Sequence, residues 1–227
     1  MKRIKFIFVA MLVLALSTPV TVCAATPKKS TKKVSTMGKR GATGGVAVTN
    51  AKPIDLGLPS GTLWADRNVG AESTEAYGGL FRYGNKGKMG GQGCPKENIV
   101  GTKLDVATQK MGRNWRMPTA AELTELWENC THYYDVVKGQ PGFRLYGPNG
   151  NALFLPLTGM MYNYGRSSAG DFGFYQSGEI TDSWMYQVGF EVITLNLWQK
   201  DDDTFKCQMG SESPGAGCPI RAVYIGD

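Results

Sequence analysis

Glycine occupies 30 of the 227 positions and proline 11 more, and no other feature narrows the fold of this chain as much. Glycine supplies positive φ at little cost, and proline fixes φ while removing a backbone donor. A chain punctuated this densely forms many tight turns, and so short strands in preference to long helices. With 42% hydrophobic and 19% charged residues, the mixture is globular rather than coiled-coil or disordered. The length allows one domain and leaves little room for two.

The formal net charge of +6 suggests an acidic partner until its distribution is read. Ten of the 25 basic residues, and none of the 19 acidic ones, precede Pro53. From Pro53 onward 15 basic residues face 19 acidic ones, so the domain itself is mildly acidic. It offers no basic groove for nucleic acid.

Residues 1–25 read as a secretory signal peptide. Lys2, Arg3 and Lys5 form a charged start, Phe6 to Leu16 is an unbroken apolar run, and Pro19 breaks the pattern. Val22-Cys23-Ala24 then places small or moderate side chains at a cleavage site near Ala24 or Ala25. The apolar run is too short for a bilayer crossing, which takes ~20 residues, so no transmembrane segment is expected in the mature chain. A lipid anchor at Cys23 needs a small residue before the cysteine, and Val22 is a poor one. Residues 26–52 lack aromatic side chains and carry lysines among serine, threonine and glycine. They cannot bury enough apolar surface to offset the entropy of ordering, and read as a flexible basic leader. The expected location is the periplasm, the cell surface or the medium.

Residues 53–227 read as one α+β domain. Ile54, Leu56 and Leu58 alternate with Asp55 and Gly57 as in a half-buried strand; Pro59-Ser60-Gly61 is turn chemistry, and Thr62 to Val69 offers a returning strand. Ala71 to Gly93 reads as irregular surface anchored by Tyr77, Phe81 and Tyr83. Asp105 caps a short helix through Met111, ended by Gly112. Thr119 and Glu122 form a capping box for a helix over Ala120 to Cys130, whose Leu123, Leu126, Trp127 and Cys130 share one apolar face. Phe143 to Tyr146 and Ala152 to Leu155 flank Gly147-Pro148-Asn149-Gly150, a hairpin signal. Phe172 to Gln176, Trp184 to Phe190, Val192 to Trp198 and Ile220 to Ile225 are further strand candidates. Short helices followed by a strand meander make antiparallel sheets with segregated helices.

The stretch Ile54 to Ala65 (IDLGLPSGTLWA) resembles the opening of the Fibrobacter succinogenes major paralogous domain, common in secreted proteins of Bacteroidetes. The similarity continues through Asn68-Val69-Gly70-Ala71, Asp105-Val106-Ala107-Thr108, Trp115 to Thr119 and Glu122-Leu123. It runs on through Asn129-Cys130-Thr131, Gly147 to Asn151 and Phe154-Leu155-Pro156, and ends at Ile220 to Val223. The resemblance implies the C-type-lectin-like superfold that also hosts formylglycine-generating enzymes. It implies a surface or secreted module, and brings no catalytic residues. Two positions depart from the family: Arg67 stands where a cysteine is usual, and Gln176-Ser177-Gly178 replaces a tryptophan-serine-serine run.

After Cys23, four cysteines remain: Cys94, Cys130, Cys207 and Cys218. An even number in an exported chain favours disulfides, with Cys207–Cys218 and Cys94–Cys130 the pairing preferred from local proximity. A reactive pair of the formylglycine-generating type would need closer spacing and a setting that lowers a thiol pKa. His132, the only histidine, follows a helix end and favourably meets its dipole. Asp201-Asp202-Asp203 reads as a solvated turn, since consecutive carboxylates diverge and calcium wants spaced ligands. No metal and no cofactor are expected.

The remaining feature is an aromatic cluster with asparagine, serine and glycine: Tyr162, Tyr164, Phe172, Phe174, Tyr175, Trp184 and Tyr186. Flat aromatic faces beside amides and hydroxyls suit stacking on sugars and recognition of protein. Tyr162, Tyr164, Phe172, Tyr175, Trp184 and Tyr186 are the candidate ligand residues. The expected function is a monomeric, non-catalytic module binding glycan or a surface protein. A structural part of an adhesive assembly is the first rival, and a formylglycine-generating-type enzyme the second.

Overall fold

Turns divide the chain into elements mostly too short to stand alone, so its stability rests on how they are cross-tied. The computed structural model describes residues 50–162, 165–199 and 205–226. The first half holds β1 (Pro53–Asp55), β2 (Leu63–Ala65), α1 (Val106–Met111), β3 (Trp115–Arg116) and α2 (Ala120–Asn129). There follow β4 (Thr131–Val137), β5 (Gln140–Tyr146), β6 (Ala152–Pro156), β7 (Met160–Met161) and β8 (Arg166–Ser167). The long strands β9 (Phe172–Asp182), β10 (Phe190–Gln199) and β11 (Phe205–Glu212) precede the closing β12 (Val223–Tyr224). The sheets are ordered β1-β2-β12-β3, β11-β10-β9, β4-β5-β6 and β7-β8, and every strand pair is antiparallel. The fold is therefore α+β and strand-rich. Among the described residues, no helix is long and apolar enough to cross a membrane.

Local chemistry sets each element. The Gly61 amide closes the first turn on the Leu58 carbonyl (2.9 Å), and Ile54 then faces Trp64 across β1 and β2. Asp105 caps α1 by accepting the Thr108 amide (3.0 Å) and also accepts the amides of Gly101 (2.8 Å) and Met117 (2.9 Å). One buried carboxyl thus ties a loop, a helix and the entry to α2. The capping box of α2 is formed: the Glu122 amide donates to Thr119 Oγ1 (3.1 Å) and the Thr119 amide to Glu122 Oε2 (2.9 Å). Burial alone would raise the Glu122 carboxyl, but the Arg116 guanidinium and the Thr119 bonds hold it below its usual range.

The β5–β6 hairpin forms as its turn residues dictate, and that turn docks on β1. The side-chain amides of Asn149 and Asn151 donate to the Asp55 carbonyl (2.9 and 2.8 Å). Gly147 packs directly on the Leu56 backbone, where a Cβ would collide.

The expected pattern differs from the structure in three places. Trp184 to Phe190 is not a strand; residues 183–189 connect β9 to β10. Thr131–Val137 and Phe205–Glu212 are strands that the turn pattern did not mark. In both cases a long partner strand supplies the ladder that local periodicity does not announce. Residues 1–49, which include the expected signal and most of the leader, lie outside the described residues. So do Asp201–Asp203.

Two apolar clusters form the interior. One gathers Trp64, Leu126, Phe143, Leu155, Tyr175 and Leu197; the other gathers Val69, Tyr83, Ile99, Trp115, Met117 and Ile220. Arg221 is completely buried. Its Nε donates to Asn68 Oδ1 (2.9 Å), its Nη1 to the Ala65 carbonyl (3.1 Å) and its Nη2 to the Phe154 carbonyl (2.7 Å). Burial draws the guanidinium down to about 10, while Tyr175 and Asp66 oppose the shift, so it stays charged at neutral pH.

Arg221→Met would leave those three acceptors without a donor. It is expected to cost about 3 kcal/mol or more, at about 1–3 kcal/mol for each buried polar group left unpaired. Thr119→Ala, which removes only a helix cap, is expected to cost about 1 kcal/mol. Urea unfolding of the two variants checks the ranking, and equal losses would refute the central role given to Arg221.

Candidate functional site

The alternation of β9 divides the expected aromatic cluster. Tyr175 points inward and is fully buried, with its hydroxyl donating to the Pro156 carbonyl (2.7 Å). It is core, and its assignment as a ligand residue is corrected. Phe172 and Phe174 point the other way, stacked at 5.8 Å and 15°, and both are only partly exposed. Tyr164 lies outside the described residues. Gln176 is also interior: its Nε2 donates to the carbonyls of Phe81 (2.7 Å) and Cys218 (3.0 Å), so it braces two loops.

Tyr162, Trp184 and Tyr186 remain, and they lie on or beside the β9–β10 connection. The connection is tightly held. The Ser183 amide donates to the Gly189 carbonyl (3.2 Å), and the Gly189 amide to the Tyr186 carbonyl (2.9 Å). The Ser183 hydroxyl donates to Glu191 Oε1 (2.6 Å) and accepts the Met185 amide (3.1 Å). Ser211 on β11 donates to the other oxygen of Glu191. Trp184 projects from this braced turn with 92% of its surface exposed, and Met185 with 65%. Tyr186 is hydrogen-bonded to Tyr162, and burial together with the neighbouring Tyr162 and Glu212 pushes its hydroxyl up to about 12.

Glu212 lies directly across from Val192, whose side chain is buried in the second apolar cluster. Burial, with Glu191 nearby, raises its carboxyl to about 7. Nothing in the local sequence separates Glu212 from an ordinary solvated strand carboxylate; the β10–β11 register decides its burial. The turn thus carries an apolar tip over a pair of carboxylates, one hydrogen-bonded by two serines and one largely desolvated.

The four cysteines are free thiols, which corrects both expected disulfides. Each is committed to a different place. Cys130 ends α2 within the first apolar cluster, whereas Cys94 packs against the second, its thiol donating to the Pro214 carbonyl (3.2 Å). Cys207 packs against the first cluster, whereas Cys218 is held by paired backbone bonds to Phe81 (3.0 Å each). Burial raises all four thiols, that of Cys130 to about 11. His132 is the second residue of β4, stacked on Trp127 at 3.7 Å, with its Nδ1 3.3 Å from the Cys130 carbonyl.

A second surface lies on β4, a strand that the sequence does not mark. Thr131, Tyr133, Asp135, Arg144 and Tyr146 line a groove of about 600 Å³ on the outer side of β4 and β5. Residues 131–135 (THYYD) carry no apolar–polar alternation that would mark the strand. Among the described residues, no group of three or more histidine, cysteine, aspartate or glutamate side chains could hold a metal ion. Comparison of the chain with protein-family models, curated proteins and solved structures found no match.

The Glu212 carboxyl makes one prediction. The folded state holds its proton above the ordinary range, so the folded chain binds more protons than the unfolded one between pH 4.5 and about 7. The Glu212 contribution to stability therefore falls as pH rises through that window and is level above it. Glu212→Gln is expected to remove this fall in melting temperature. An identical pH profile in the variant would show that Glu212 is not desolvated as described.

Proposed function

We propose that the chain is an exported, non-catalytic binding module that engages a protein of the cell envelope through the Trp184 tip. The observation that carries this reading is a tryptophan 92% exposed on a turn held by backbone bonds and by Ser183. Tryptophan is enriched among residues that dominate binding energies, and a held turn loses little entropy on association. Met185 extends the apolar patch, and Tyr186 and Tyr162 add hydroxyls at its base.

The module is read as a Fibrobacter succinogenes major paralogous domain with a C-type-lectin-like fold. In support, residues quoted for that resemblance do the cross-tying here. Asn68 and Arg221 form the central bond, Asp105 gathers three amides, and Thr119 with Glu122 caps α2. Asn149 and Asn151 dock the hairpin turn on β1. Export is read from the signal-like residues 1–25. The non-catalytic assignment is supported by the thiols, whose raised pKa disfavours the thiolate that acts as a nucleophile. His132 is occupied by Trp127 and the Cys130 carbonyl.

The test is binding of the chain and of Trp184→Ala to immobilised envelope proteins of the producing cell. The variant is expected to lose about 2 kcal/mol of binding free energy, the scale of an interface hot spot. Its melting temperature should be unchanged, because the indole contributes little to the core. Equal binding by the two proteins would overturn the assignment of the tip.

A further inference from the structure

The outer face of the β4–β5 sheet collects a different set of groups from the hairpin tip. Alternation along β4 places Thr131, Tyr133 and Asp135 on one face, and the register brings Tyr146 opposite Thr131 and Arg144 opposite Tyr133. The Tyr133 and Tyr146 rings meet edge to face at 6.2 Å and 69°, and they remain 60% and 41% exposed. Arg144 Nε donates to Asp135 Oδ2 (2.7 Å), and its guanidinium lies 5.8 Å from the centroid of the Phe154 ring. That contact uses one nitrogen and one oxygen. The two Nη groups of Arg144 and Oδ1 of Asp135 make no hydrogen bond to a described residue. Donors and an acceptor are thus fixed side by side, next to the paired tyrosine rings.

We propose that this groove binds an uncharged oligosaccharide. Three features of the groove select that class. The exposed tyrosine faces match the apolar C–H face of a pyranose ring, which stacks on flat aromatic surface. Arg144 and Asp135, held in contact, present a donor and an acceptor to adjacent sugar hydroxyls, and their own pairing spares the ligand the cost of ordering them. Among the described residues the two are the only charged ones lining the groove and cancel one another, so a uronate or phosphate finds no net attraction. The groove volume of about 600 Å³ lies within the range of ~300–1,000 Å³ typical of small-ligand sites. The site is separate from the hairpin tip, and neither reading depends on the other.

The experiment is calorimetric titration of the full chain with cellotriose, maltotriose and mannotriose, and with trigalacturonate as the charged counterpart. At least one neutral trisaccharide should bind saturably and more tightly than trigalacturonate. Tyr133→Ala and Tyr146→Ala should each weaken that binding about tenfold with no change in melting temperature. Val136→Ala, on the opposite face of the same strand, should not weaken it. Asp135→Asn, which releases the Arg144 charge, should shift preference toward trigalacturonate. The proposal is overturned by absence of heat with every neutral trisaccharide, by tighter binding of trigalacturonate to the unaltered chain, or by undiminished affinity in Tyr133→Ala.

Discussion

A single buried guanidinium joins parts of the chain that share no strand. Arg221 lies next to the closing strand, yet it bonds the end of β2 through Ala65, the segment after it through Asn68 and the β6 strand through Phe154. The hydroxyl of Tyr175, from the long β9–β10–β11 sheet, sits beside it. A buried charge is expensive to desolvate, and here the cost is offset by three well-directed bonds and a neighbouring carboxylate. Sheets with strands of two or three residues carry little cooperativity of their own. Cross-ties such as Arg221, Asp105 and the Asn149–Asn151 turn therefore do the work that long elements do in other folds.

This frame leaves two surfaces free to differ in character. At the β9–β10 turn, backbone closure and serine–carboxylate bonds hold an apolar tip over partly desolvated acids. On the β4–β5 face, open tyrosines lie beside an internally neutralised ion pair. The first has the chemistry of a protein hot spot, and the second that of a polar, uncharged ligand site. Both lie on short-range hairpins anchored in the core, which fixes their side chains without enlarging the domain.

Features with a local cause were legible from residues alone. The two helices begin where Asp105 and the Thr119–Glu122 box require, and α1 ends at Gly112, because caps act within one turn of backbone. The β5–β6 hairpin turns over residues 147–151 as the sequence signals, with Gly150 taking the positive φ. The aromatic cluster was only partly legible. Its residues are surface or core according to strand parity, and Tyr175 lies one step from Phe174 yet wholly inside. The cysteine pairing failed for a related reason: proximity along the chain does not state where a thiol packs, Cys130 and Cys207 with the first apolar cluster and Cys94 against the second.

Sequence by itself determined the α+β class, the caps, the main hairpin turn and the charge balance of the domain, all of which follow from short-range sterics and composition. Tertiary structure alone decided the burial of Arg221, Glu212 and Tyr175, the free state of the thiols, and the meeting of Tyr133 and Arg144 with their partners. Those outcomes depend on register between strands and on contacts such as Asn68 with Arg221, 153 residues apart. Local propensity carries no information at that range, because register is set by the summed packing of both partner strands.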